Sequence, residues 1–208
     1  MTPPRPIRLY THPVSGHAHR VALMLSLLRL PFERIEVDLR KGAHKAPEFL
    51  AKNAFGQIPV IEDGEVVLAD SNAILVYLAT RYDAGGTWLP RDPVALAQVQ
   101  QWLSVAAGQL AAGPASARLV ALFGAKIDLD RCKQIAQQLY AVMDAHLGRR
   151  RFLVGDAPTI ADVALYSYTV LAPEGGIDLA PYRNVEAWLG RIEALPGFVP
   201  MQRAKAAA

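Results

Sequence analysis

Asp70, Ser71 and Asn72 stand in a row just before a helical pattern, and all three are residue types that cap helices. One cap needs only one such side chain, so the others can face a ligand. A helix N-terminus also offers backbone N–H groups without intrahelical partners and the positive end of a dipole, and both suit a carboxylate. Ser15, beside Gly16, opens an earlier helical pattern. A serine hydroxyl in that position accepts from the helix backbone and keeps a proton to donate. Tyr10, which could equally pack inward, Thr11 and His12 stand near it in sequence as competing donors, and His17 and His19 read as exposed first-turn residues rather than bases.

Several elements must position these groups. The β-prone run 58–62 and the run 66–69 flank Glu62-Asp63-Gly64-Glu65, which reads as a hairpin. Ala73, Ile74, Tyr77, Leu78 and Arg81 then recur at helical spacing. Pro59 opens the first hairpin strand, where a missing N–H does no harm. Upstream, residues 7–10 form a short strand and residues 11–16 a loop. Val21, Ala22, Leu25 and Leu28 mark one helix face, Pro31 stops that helix, and residues 32–37 form a second strand. Such a βαβ unit implies a parallel pair with a right-handed crossover. Residues 47–51 give one or two helical turns before the hairpin.

The texture changes after Tyr82. Residues 83–90 read as a linker, and everything beyond looks helical. Helices are expected over residues 93–112, 115–124, 128–147, 163–171 and 185–194, with a break at Gly113-Pro114. Thr159-Ile-Ala-Asp162 is a capping box in its aspartate form. The expected plan is three parts: an α/β domain over 1–82, the linker over 83–90, and an all-α domain over 91–208.

At 52% hydrophobic and 20% charged residues the chain has ample material for a packed core. A net charge of +3, evenly scattered, gives no reason to expect nucleic acid; Arg149-Arg150-Arg151 reads as solvated surface at a helix end. Cys132 is the single cysteine, so an internal disulfide is impossible, and it reads as a bystander. No apolar segment suggests a signal peptide or a membrane span, and no metal set stands out, so a soluble cytoplasmic protein with no metal is expected.

Gln57-Ile58-Pro59-Val60, the hairpin, and then Asp70-Ser71 at a helix start resemble the glutathione site of the cytosolic glutathione S-transferases. The order βαβαββα resembles the thioredoxin fold, and a following all-helical domain is that family's plan. Gly155-Asp156-x-Pro158-Thr159-Ile-Ala-Asp162 resembles the family's C-terminal signature, whose role is structural. Ser15 and Arg20, in the order Ser-x-x-x-x-Arg, are similar to the serine-type enzymes. Ala43-His44-Lys45-Ala46-Pro47-Glu48 with Asn53-Ala-Phe55-Gly56-Gln57 resembles the phi class.

The resemblance implies a role for each matched position. Ser15 would donate to the glutathione sulfur and hold it as the thiolate, which is the reactive form of a thiol whose free pKa is about 8.5. Ile58 would pair by its backbone with the cysteinyl unit beside a cis Pro59. Asp70 and Ser71 would hold the γ-glutamyl amine and carboxylate. His44, Lys45 and Gln57 would meet the glycyl end. Thr11, or a protonated His17, remains an alternative at the sulfur. His17 replaces the cysteine of the zeta class, and neither Ser15 nor Ala18 supplies a glutaredoxin-type cysteine, so an intrinsic dithiol cycle is not possible.

The implied function is a glutathione transferase, with glutathione as co-substrate and a small hydrophobic electrophile held against the helical domain. Val14, Trp102, Gln109, Arg118 and Tyr166 are candidates for that wall. A homodimer is implied, with Phe55 as an aromatic key. The alternatives are a glutathione-dependent peroxidase or disulfide reductase, and a non-catalytic scaffold that kept the fold.

Overall fold

Strand β1 (Ile7–Thr11) buries Ile7, Leu9 and Tyr10, and every other element of the N-terminal unit is arranged around it. The computed structural model describes residues 2–204; the Ala-rich end expected in the helical domain, 205–208, lies outside them. Two compact units are present: the first runs to Gly86 and also takes in Pro196–Gln202, and the second covers Thr87–Leu195 and resumes at Arg203.

In the first unit β1 leads through α1 (Gly16–Leu27) to β2 (Phe32–Glu36), which pairs parallel with β1 from Ile7 opposite Phe32 to Thr11 opposite Glu36. A 3-10 turn (Ala43–Lys45) and α2 (Pro47–Leu50) precede β3 (Val60–Asp63), β4 (Val66–Ala69) and α3 (Ser71–Tyr82). The sheet order is β2-β1-β3-β4, with β3 antiparallel to both of its neighbours. Val21, Leu25, Ile74 and Leu78 are buried on α1 and α3, the two helices that carry Ser15 and Ser71. A separate small core of Tyr10, Val37, Phe49 and Val60 supports Ala43 and Ile58, and so underlies the segment holding His44 and Lys45.

The sequence assigned 91–208 to the helical domain, but Pro196–Gln202 belongs with the first unit. His19 Nε2 bonds the Val199 carbonyl at 2.9 Å, and Ser26 Oγ donates to the Gly197 carbonyl at 2.6 Å. Gly197 has φ +90, and a Cβ there would lie 2.8 Å from the Ser26 carbonyl, so glycine is what lets the segment approach α1.

The second unit holds α4 (Pro93–Ala107), α5 (Ser116–Phe123), α6 (Leu129–Leu147), α7 (Ile160–Val170) and α8 (Arg183–Glu193). Asp92 and Asp128 cap α4 and α6. At Gly113-Pro114, where a break was expected, a π-helical stretch (Ala111–Ala115) runs straight into α5. Pro114 has no N–H to place in an α ladder, and the wider turn accommodates it. A Cβ on Gly113 would lie 3.0 Å from the Ala136 backbone nitrogen, so the glycine serves close packing on α6. The capping box is complete: Asp162 accepts from the Thr159 and Leu153 backbones and from Trp188 Nε1, at 2.8, 3.0 and 2.8 Å. Among the described residues no helix is long and apolar enough to cross a membrane.

Candidate active site

Ser15 is the N-cap of α1: its Oγ accepts from the Ala18 N–H at 3.2 Å. That bond uses a lone pair and leaves the hydroxyl proton for another acceptor. Tyr10, one of its competitors, is turned into the small core. Its hydroxyl donates to Glu62 Oε1 at 3.0 Å and its ring packs edge-on against Phe49. His17, another competitor, is held in its neutral form. Burial and the neighbouring Arg20 charge push its pKa down to about 3, so the ring is neutral at physiological pH. His19, expected to be exposed, is buried against the Val199 carbonyl, and its pKa is held down to about 4, mainly by that burial.

Asp70 caps α3, accepting from Asn72 and Ala73 N–H groups at 3.0 and 2.9 Å. It does so at φ 69, a backbone conformation that non-glycine residues adopt rarely and that concentrates at functional positions. Asp70 is exposed, whereas Ser71, the first helical residue, is buried. Ser71 Oγ accepts from Nη1 of Arg20 at 3.1 Å. Arg20 is itself buried, and the same nitrogen lies 3.1 Å from His17 Nδ1 and 3.5 Å from Asn72 Oδ1. The sequence pointed to Arg20 only as part of a motif; its meeting with Ser71 is a tertiary contact between α1 and α3.

The Ile58-Pro59 peptide bond is cis. The loop before it is tied by Asn53, whose Nδ2 donates to the Gln57 carbonyl at 2.8 Å and whose Oδ1 accepts from the Phe55 N–H at 3.1 Å. Sequence reasoning treated Asn53 as part of a motif and missed this structural use. Gln57 is exposed, and Lys45 Nζ donates to the Phe55 carbonyl at 3.0 Å. Gly56, at φ +58, lies under that lysine; a Cβ there would sit 2.7 Å from the His44 carbonyl. Nδ1 of His44 is buried and has no hydrogen-bond partner among the described residues. Lys52 pairs with Glu62 and tethers the end of α2 to β3, with Arg8 adding a second pair to Glu62 at 2.6 Å.

Of the proposed electrophile wall, Arg118 and Tyr166 are engaged inside the helical unit. Arg118 Nε donates to Glu174 Oε2 at 2.5 Å, and the Tyr166 hydroxyl donates to Glu193 Oε1 at 2.9 Å. Trp102 stacks edge-on against His146, and Gln109 is exposed. Cys132 is buried, its thiol pKa raised by burial. Among the described residues no group of His, Cys, Asp and Glu is placed to hold a metal ion.

The N-terminal unit is thus a thioredoxin-like α/β sheet that presents two serine-bearing helix N-termini, accompanied by an all-helical unit. Residues 5–80 match the family model for the glutathione S-transferase N-terminal domain, and residues 101–196 match that for the C-terminal domain. Glutathione S-transferase 3 of Zea mays is 38% identical over 93% of this chain and 91% of its own. A glutathione S-transferase structure from Pseudomonas fluorescens superposes with a TM-score of 0.89 at 36% identity, covering 96% of this chain and 100% of that one. A Drosophila mojavensis glutathione transferase homologue, 29% identical with a TM-score of 0.82 over 92% of this chain and 89% of its own, carries bound glutathione. The chain belongs to the cytosolic glutathione S-transferase family.

Proposed function

We propose that the protein is a cytoplasmic glutathione transferase of the serine type, acting as a homodimer on a small hydrophobic electrophile. The observation that carries this reading is Ser71: it opens α3, is held by a buried arginine, and directly follows an aspartate that caps the helix at positive φ. That combination suits an amino-acid end group, with the Asp70 carboxylate for the γ-glutamyl amine and the Ser71 hydroxyl with the helix dipole for its carboxylate. Ile58 pairs with the cysteinyl backbone beside Pro59. His44 and Lys45 provide donors for the glycyl carboxylate, and Gln57 flanks the peptide.

Ser15 then donates its remaining proton to the glutathione sulfur at the N-terminus of α1. The thiol loses its proton to solvent, and the hydroxyl and dipole hold the thiolate. The sulfur lone pair forms a bond to the electrophilic carbon; when that carbon bears a halide, the halide leaves with its bonding pair. The helical domain supplies the surface that takes the electrophile. Phe55, 80% exposed on its loop, is the anchor offered to a second copy of the chain.

Calorimetric titration with glutathione, followed by turnover of 1-chloro-2,4-dinitrobenzene and of a small mixed disulfide, tests the reading. Binding with conjugation as the faster reaction is expected. Binding with disulfide reduction as the dominant reaction would assign the protein to reductases, and no binding would leave it a scaffold.

A further inference from the structure

The position of Arg20 between His17 and Ser71 has a consequence for how a carboxylate is held at α3. Arginine can only donate, so the 3.1 Å contact from Arg20 Nη1 makes His17 Nδ1 the acceptor. A neutral ring with an unprotonated Nδ1 carries its proton on Nε2, so the contact fixes the tautomer. The second Nη1 proton goes to Ser71 Oγ at 3.1 Å, with Asn72 Oδ1 at the outer limit of reach. Ser71 Oγ also lies 3.4 Å from the same Nδ1. An imine nitrogen has one lone pair, and Arg20 is the nearer and charged donor for it. The Ser71 proton is therefore left for a ligand oxygen, while its own lone pair is held by the guanidinium.

We propose that His17 is a positioning residue for glutathione recognition: by accepting from Arg20 at Nδ1 it holds the guanidinium against Ser71 and makes Ser71 a committed donor to the γ-glutamyl carboxylate. The inference rests on the reading that glutathione occupies this site. Ser15 is two positions away on the same helix, so the device also joins the sulfur end of the site to the γ-glutamyl end. Burial keeps His17 in the neutral form the device needs.

Two substitutions separate the acceptor from the ring. His17→Phe keeps the ring volume and has no acceptor, whereas His17→Asn keeps an acceptor oxygen near the Nδ1 position and has no ring. Steady-state conjugation of 1-chloro-2,4-dinitrobenzene gives KM for each substrate, and inhibition by γ-glutamylcysteine and by cysteinylglycine separates the two ends of the tripeptide. His17→Phe is expected to raise the glutathione KM about tenfold and weaken γ-glutamylcysteine to match, as loss of a charge-assisted contact does. Inhibition by cysteinylglycine, kcat at saturating glutathione and KM for the aryl chloride should stay within about twofold of wild type. His17→Asn should keep the glutathione KM within about threefold. If His17→Phe does not fold, His17→Ala takes its place with the same expectations. Equal losses in the Phe and Asn variants, or losses shared by cysteinylglycine, would overturn the proposal. A wild-type protein that binds no glutathione would instead overturn the reading beneath it.

Discussion

The Asp70 carboxylate accepts the Ala73 N–H at 2.9 Å while Asp70 itself stands at φ 69, so one residue both caps α3 and bears an unfavourable backbone conformation. Stability and recognition should therefore separate at this position. Asp70→Asn keeps the cap and leaves the backbone strain as it is, and should lie within about 0.5 kcal/mol of wild type. Asp70→Ala loses the cap and gains strain, and should cost about 2 kcal/mol. Both should weaken glutathione binding, since neither offers the amine a carboxylate. Denaturant unfolding beside calorimetric binding checks the split; a stable Asn variant with wild-type affinity would remove Asp70 from the site.

Gly56 is the second backbone constraint. Gly56→Ala would set a Cβ 2.7 Å from the His44 carbonyl at φ +58. A loss of about 2 kcal/mol is expected, together with a larger loss of affinity for glutathione than for γ-glutamylcysteine if the displaced His44 and Lys45 take the glycyl end as proposed. Equal losses for the two peptides would detach this loop from glycyl recognition.

Much of this was legible in the sequence where the signal is local. Ser15, Asp70 and the Thr159–Asp162 box are caps written within a few residues, and the structure places each at a helix start. The hairpin turn and the βαβ unit follow from local pattern too. What escaped depends on partners far apart in sequence. Arg20 meeting Ser71, Tyr10 turning to Glu62, and the return of Pro196–Gln202 to α1 all arise from packing. The Gly113-Pro114 segment misled because proline and glycine usually end a helix; here close packing on α6 and a π turn carry the chain through. The partners of Arg118 and Tyr166 were hidden for a similar reason: Glu174 and Glu193 meet them only through packing within the helical unit.

Glu62 links Tyr10, Arg8 and Lys52, and through Lys52 it braces α2. Burial alone would raise its pKa, but hydrogen bonds from Lys52 and Tyr10 and the charges of Lys52 and Arg8 bring it below the usual value. A depressed carboxylate pKa contributes stability that is present above its unfolded value and is lost as pH falls through the folded one. Glu62→Gln should cost about 1–2 kcal/mol at pH 7 and progressively less below pH about 4.5, where wild type loses the same term. Unfolding free energies across that range check it; a constant difference between wild type and variant would contradict the brace.

His17 and His19 act in the next pH window. Their folded pKa values, about 3 and about 4, lie below the ordinary 6.5. Between those values and 6.5 the unfolded chain holds the extra protons, so stability falls as pH drops below 6.5. Each histidine contributes a slope of about 1.4 kcal/mol per pH unit. His19→Gln should remove one such slope between pH 6 and 4.5. An unchanged slope would mean that His19 titrates normally in the folded chain.

The most direct test of the central claim is the ultraviolet thiolate absorbance of bound glutathione, titrated with pH in wild type and in Ser15→Ala. The account predicts ionisation well below the free thiol value of about 8.5 in wild type and an upward move of at least about one unit in the variant, equivalent to roughly 1.4 kcal/mol. Ser15 also caps α1, so the variant is compared only under conditions where it is folded and saturated with glutathione. A titration left unchanged by Ser15→Ala would contradict the account and pass the sulfur to another donor, Thr11 first.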